Sequence, residues 1–428
     1  MRCWAVLLVL SGWPLAAGAA QECLQPLLEQ LGWRISEAPV AQIDVHGGDV
    51  CTRADLEAAH AAGDLRVQLP ATASEQARRA MLQRLLEHPA THCAYAMRLG
   101  QAARRAAQAL QGNPGYRFSG LQLGWIGFGA GGAGAQGWQR THALGRGYQP
   151  SGGNSEALQA FYTGRVRSEC GVGRQIAQLA TLRELFGDAR FDTAFSAGEL
   201  SIGTFLTLHQ TDSVLLGRQA GQLQGDGKGV RAAALGRQAF MGLPGFIEHA
   251  YGRDTLDDLN NQAENFIVVD VSAEAAGTLR EHGGLAWYDQ RNAEIWTLSQ
   301  QLPRRGVRFF ERLLSERDER LRGSLTSSER RIVERLDALL DDPFYQAFLI
   351  YVHPRGIQPI GAHVARLLDR NPRTPYVIEL AMNNLHTTLY ERWLQAQRDS
   401  CPGGNGTARL PSYYRPDGAA RPRPSTQR

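Results

Sequence analysis

The sequence predicts an α+β fold in which a cysteine-bearing helix packs on an antiparallel sheet, with added helical regions at both ends. Three observations carry this. A seventeen-residue stretch opening at Cys170 sets Val172, Ile176, Leu179, Leu182 and Phe186 three and four residues apart, the stripe of a helix with one buried face. Short runs rich in branched and aromatic residues follow it. Alanine-, leucine- and arginine-rich segments lie before residue 111 and after Pro303, where the spacing is again helical. Helix followed by several strands is the layered α+β arrangement.

In chain order, Met1-Arg2, the apolar stretch from Trp4 to Ala17 and the small residues A-G-A-A-Q at 17–21 read as a Sec-type signal peptide over 1–20. This makes the mature protein secreted or periplasmic, and no later run reaches the roughly 18 apolar residues of a membrane span. Residues 21–150 read as a helical region, with helices over 74–88 and 98–110. They end in a glycine-rich stretch, G-W-I-G-F-G-A-G-G-A-G-A-Q-G-W at 124–138. That stretch lacks the G-K-[ST] of a phosphate loop and reads as a linker. Residues 151–300 form the expected core. After the Cys170 helix, which Gly187-Asp188 stops, strands are expected at 211–217, 264–271, 284–289 and 294–298, the last two joined by the tight turn Q-R-N-A. Over 301–400 the pattern returns to helix, with a capping box T-S-S-E at 326–329 ahead of Ile332, Val333, Leu336, Leu339 and Leu340 and a further helix over 376–397. The glycine-, proline- and arginine-rich residues 401–428 read as a disordered tail.

Composition narrows the function. A net charge of +4 over 428 residues is small and scattered, and no nucleic-acid-binding signature is present, so nucleic acid is not the expected partner. No C-x-x-C occurs and no histidine pair stands four apart in a carboxylate cluster, so neither a metal nor another cofactor is expected. Once the signal has gone, Cys23, Cys51, Cys93, Cys170 and Cys401 remain. Five is odd. In an oxidising compartment four can pair, in three ways, leaving one thiol over.

The stretch S-E-C-G-V-G at 168–173 singles out Cys170 for that role. A helix N-terminus stabilises a thiolate through its dipole and backbone N–H groups, and Gly171 and Gly173 keep the approach clear of side chains. Glu169 opposes the thiolate unless it is itself an acid, a base or an orienting group. Downstream, Glu264 stands at the mouth of the β run E-N-F-I-V-V-D-V, and His282 precedes a glycine pair ahead of the next expected strand. A cysteine on a helix start with polar partners on later strands is the layout of papain-like and NlpC/P60-like folds. In that chemistry a base takes the thiol proton and a third group orients the base.

The series Phe161-Tyr162, Glu169-Cys170, Phe191-Asp192 with Phe195, Ala263-Glu264-Asn265 and His282-Gly283 resembles the spore-coat protein-glutamine γ-glutamyltransferases, compact transglutaminases with an NlpC/P60-like core. Asn261 stands where that family carries tryptophan. The resemblance spans about 160 to 290. It implies Cys170 as nucleophile, Glu264 as the acid/base partner and Glu169 as a second carboxylate. Cys170 would displace ammonia from a protein glutamine, and a lysine amine would resolve the thioester into an isopeptide cross-link. The expected partners are therefore proteins bearing glutamine and lysine. An NlpC/P60-type cysteine hydrolase, with His282 as base and water as acceptor, is the alternative within the same layout. A non-catalytic secreted adaptor is the alternative from another class.

Overall fold

The structure is a computed structural model that describes residues 27–29, 31, 33–36, 40–45, 66–70, 74–86, 88–118, 136–141, 147–168, 170–203, 213–216, 237–249, 264–380 and 389–399. The expected signal peptide, most of the glycine-rich stretch, the C-terminal tail, Glu169, Cys23, Cys51 and Cys401 lie outside the described residues.

The chain opens on an antiparallel three-stranded sheet, β1 (Trp33–Ser36), β2 (Val40–Val45) and β3 (Arg66–Pro70), where mostly helix was expected. Trp33/Ile35, Ala41/Ile43/Val45 and Val67/Leu69 alternate at the two-residue period of a half-buried strand, and branched residues favour that conformation. Two helices follow, α1 (Glu75–Leu86) and α2 (Pro89–Gln111). Pro89 opens α2, and His88 caps it by accepting the Ala90 N–H on Nδ1 at 3.1 Å.

The strand β4 (Tyr116–Phe118) next pairs in parallel with β7 (Val166–Ser168). Between them lie β5 (Trp138–Thr141), β6 (Gly147–Pro150) and α3 (Asn154–Thr163). The helix α4 (Cys170–Phe186) has the bounds its stripe predicted, and Val172, Ile176, Leu179, Leu182 and Phe186 are all buried. Burying each such side chain favours the fold by roughly 1.5–3 kcal/mol. Gly187, at φ 75°, takes the left-handed conformation that ends α4 and leads into α5 (Asp188–Ala194). The short β8 (Ile202–Gly203) completes the β5–β6 sheet.

The main sheet runs, edge to edge, β12 (Gly356–Pro359), β11 (Phe348–Val352), β10 (Glu264–Val271), β9 (Pro244–His249) and β13 (Tyr376–Leu380), and is antiparallel throughout. Its first two strands in the chain are β9 (Pro244–His249) and β10 (Glu264–Val271), the second at the expected place. The expected strand at 211–217 is instead a single 3₁₀ turn over Val214–Leu216 within the described 213–216. After α6 (Ala273–Glu281), the two strands expected at 284–289 and 294–298 are one helix, α7 (Leu285–Ser299). Leu285, Tyr288, Asn292, Ile295 and Ser299 are buried at intervals of three and four, so the helical period over the whole segment prevails over two short aromatic runs.

The short α8 (Glu319–Gly323) leads into α9 (Ser327–Leu340), which carries the expected capping box. Glu329 N–H donates to Thr326 Oγ1 at 3.3 Å, and Thr326 N–H donates to Glu329 Oε2 at 2.8 Å. Beyond α10 (Pro343–Ala347) the chain returns to the sheet as β11 (Phe348–Val352) and β12 (Gly356–Pro359). Then come α11 (Ile360–Leu368), β13 (Tyr376–Leu380) and α12 (Leu389–Asp399), the last two replacing one helix expected over 376–397. Three of the five main strands thus come from the region after residue 300 that was expected to be helical. The α+β class holds, and the sheet crosses the expected boundary at 300. Helices α2 and α4 pack together and against β10, while α7 lies along β13 and α11 borders β11 and β12.

Candidate active site

Cys170 is the first residue of α4, half-buried, and not disulfide-bonded. Cys93, buried in α2, is disulfide-bonded. The two-residue period of β10 then decides which polar side chain meets the thiol. Asn265 points at it, with its Nδ2 donating toward Cys170 Sγ at 3.6 Å. Glu264, one residue earlier, faces the other side of the sheet.

There Glu264 meets α11. Its Oε1 accepts from Arg370 in a very short contact, and the Arg366 guanidinium lies 3.3 Å from Oε2 and 3.4 Å from Oε1. Arg366 continues to His363 Nδ1 at 2.9 Å, which Gln358 also reaches at 3.1 Å. Burial pushes the Arg366 guanidinium below its usual value, an effect offset by Glu311, Tyr376, Asp369 and Cys170 in that order. Burial, with Arg366 and Arg355 behind it, pushes the His363 imidazole well down. The carboxylate expected to serve the thiol is therefore held between two guanidinium groups in a buried ion cluster. That is a structural use of a charge, since an unpaired buried carboxylate would cost several kcal/mol.

His282 is not brought to Cys170 either. It caps α6 at an exposed position and stacks on Trp287 with ring centroids 5.4 Å apart. The histidine the fold does bring to α4 is His353, just past β11. Ile267 pairs with Tyr351 across β10 and β11, and continuing that register sets His353 opposite Asn265. The imidazole lies against the first turn of α4 so closely that a Cβ added at Gly173 would sit 3.0 Å from His353 Cβ and 3.2 Å from Cδ2. Tyr116 covers its other side, ring centroids 3.9 Å apart, and Tyr116 Oη bonds Ser168 Oγ at 2.8 Å, two residues before the thiol. Tyr351 Oη lies 3.3 Å from His353 Nδ1, whereas Nε2 is buried without a hydrogen-bond partner. Desolvation pushes the imidazole down to about 4, so it is neutral at pH 7.

The site thus gathers Cys170, Asn265, His353 and Tyr351 on one face of the sheet. Of the residues expected from the sequence, Cys170 lies beside Asn265, Glu264 faces the other side of the sheet, His282 stands at an exposed helix end, and Glu169 lies outside the described residues. Asn265 and His353 were legible in retrospect. Asn265 follows from the alternation of a strand whose start was correctly placed, and His353 ends F-L-I-Y-V-H, a branched and aromatic run stopped by Pro354. Among the described residues no group of three or more His, Cys, Asp or Glu side chains could hold a metal. No protein-family model matches the chain, and neither a curated protein nor a solved structure does.

Proposed function

We propose that the chain is a cysteine-dependent amide hydrolase with an NlpC/P60-like arrangement of helix and sheet, Cys170 being the nucleophile and His353 the base. The observation that carries this reading is the convergence of a helix-start thiol, an amide donor 3.6 Å from its sulfur and a buried neutral imidazole on one sheet face. Sγ attacks the carbonyl carbon of an amide while its proton passes to His353 Nε2. The same proton leaves with the departing amine or ammonia, and a thioester remains. Water then attacks the thioester carbon, gives a proton to His353, and releases the carboxylic acid as the thiol is reprotonated. Asn265 Nδ2, aimed at the reacting sulfur, is placed to donate to the oxygen that gains charge when Sγ bonds the carbon.

The glutamine-to-lysine transferase suggested by the sequence assigns acid/base duty to Glu264. The ion pairs of Glu264 with Arg366 and Arg370 support the histidine-based reading instead. The expected setting is outside the cytoplasm, in keeping with the signal-like N-terminus and the disulfide at Cys93; among the described residues no helix is long and apolar enough to cross a membrane.

Incubating the full chain with a glutamine-bearing protein and a labelled primary amine, and separately with short cell-wall peptides, tests the proposal. Ammonia release or peptide cleavage without amine incorporation, lost in Cys170→Ala, is the expected result. Amine incorporation would restore the transferase, and turnover unchanged in Cys170→Ala would leave only the non-catalytic adaptor.

A further inference from the structure

A histidine that takes a proton on one ring nitrogen needs the other nitrogen held, or the ring can present the wrong tautomer to the thiol. In the site proposed above, no carboxylate among the described residues hydrogen-bonds the His353 ring. Asn265 is turned toward sulfur. Among the described residues the ring's one hydrogen-bond partner is Tyr351 Oη, on Nδ1 at 3.3 Å.

The ring is oriented to match. Its Cδ2 edge, the edge that ends in Nε2, leans on α4 at Gly173, and the Nδ1 edge turns away toward Tyr351. Tyr351 on β11 and His353 just past its end stand two residues apart, and the continued register puts them on one face. Tyr351 is buried, which keeps its phenol protonated, so its oxygen can accept a hydrogen bond without bringing a charge into the site. Against the ring lie Tyr116 from β4, Gly173 from α4 and Tyr351 from β11, and the register sets Asn265 of β10 opposite His353.

We propose that Tyr351 is the positioning residue of the Cys170–His353 pair: its oxygen accepts the Nδ1–H of His353, fixing the tautomer that leaves Nε2 open to the thiol proton. When Nε2 takes that proton, the Nδ1–H stays in place and its bond to Oη strengthens as the ring becomes cationic. This rests on His353 being the base of the proposed hydrolase.

Alkylation of Cys170 by iodoacetamide, followed from pH 4 to 9 on the full chain, tests it without a known substrate. In that reaction Sγ bonds the methylene carbon, iodide leaves, and the thiol proton goes to His353 or to water. The wild type should react at pH 6 faster than an isolated thiol. His353→Gln should give the simple rising profile of a thiol. Tyr351→Phe should fall about tenfold below wild type at pH 6, the scale of one hydrogen bond to a charged group, and meet it near pH 9 where the thiol ionises unaided. A Tyr351→Phe profile that overlays the wild type, while that of His353→Gln departs from it, overturns the role of Tyr351 alone. A His353→Gln profile that overlays the wild type overturns the base itself. The tautomer is independently readable in the unmodified protein by nitrogen-15 histidine NMR near pH 7. A His353 protonated on Nδ1 supports the assignment, and one protonated on Nε2 contradicts it.

Discussion

The two faces of β10 differ by one residue in the chain and by the whole of their chemistry. On one face Asn265 meets a thiol, and the register sets the imidazole of His353 opposite it. On the other Glu264 meets two arginines and, through Arg366, a second buried histidine. Both faces hold polar groups out of water, but with different neighbours. At Glu264 the carboxylate and guanidinium groups bond one another, which is how a protein keeps charge inside. Nε2 of His353 on one face and Nε2 of His363 on the other are alike buried without a hydrogen-bond partner among the described residues, so what sets the first face apart is the thiol beside Asn265.

Exchanging the two roles is the sharpest way to break this comparison, and it carries the largest expected effects. Glu264→Gln leaves Arg366 and Arg370 without their carboxylate, so unfolding free energy should fall by about 3 kcal/mol while turnover per folded molecule stays near the wild type. Asn265→Ala should do the reverse, lowering turnover about a hundredfold with little change in denaturant midpoint. Urea unfolding and amide turnover on both variants decide it. Activity lost in Glu264→Gln at unchanged stability would return Glu264 to the site.

Acid should separate the faces next. His353 is held neutral by burial, its value lowered from 6.5 to about 4. As pH falls, the unfolded chain binds this proton first, so the stability is fully present above about 6.5 and is lost on the way to 4. The gap corresponds to about 3 kcal/mol. His363 on the other face shifts in the same direction, through burial and its arginine neighbours. Unfolding free energy measured from pH 8 to pH 4 should therefore fall in the wild type and fall less steeply in His353→Gln, the remaining slope including His363. Equal slopes would show that folding does not shift the His353 imidazole.

Much of this was legible in the sequence where one period ruled a whole element. The stripe from Val172 to Phe186 placed α4 from end to end, and T-S-S-E placed the start of α9. The site depended on finer distinctions. Strand β10 was placed at Glu264, but its parity was not read, and parity is what hands the thiol to Asn265. His353 was missed because α9 and its neighbours gave the C-terminal region a helical look, and F-L-I-Y-V-H was read with them. Its pairing to β10 links residues more than eighty apart, which no local window reports. His282 was drawn in by an expected strand that is the start of α7, where two aromatic runs imitated alternation.

Gly173 offers the smallest and most discriminating effect. It sits inside α4, where alanine in place of glycine usually stabilises a helix by about 1 kcal/mol. Here the added methyl would stand 3.0 Å from His353 Cβ and 3.2 Å from two ring atoms, closer than side chains normally pack. The helix gain and the steric cost oppose each other, so Gly173→Ala should change unfolding free energy by less than about 1 kcal/mol. Turnover should still fall severalfold, because the only way to relieve the contact is to push His353 away from the turn that carries Cys170. A glycine kept only for a clear approach to the thiol would give a different pattern: slower reaction with bulky substrates and an unchanged rate with iodoacetamide. A fall in the iodoacetamide rate at pH 6, at nearly constant stability, marks Gly173 as the seat on which the imidazole rests.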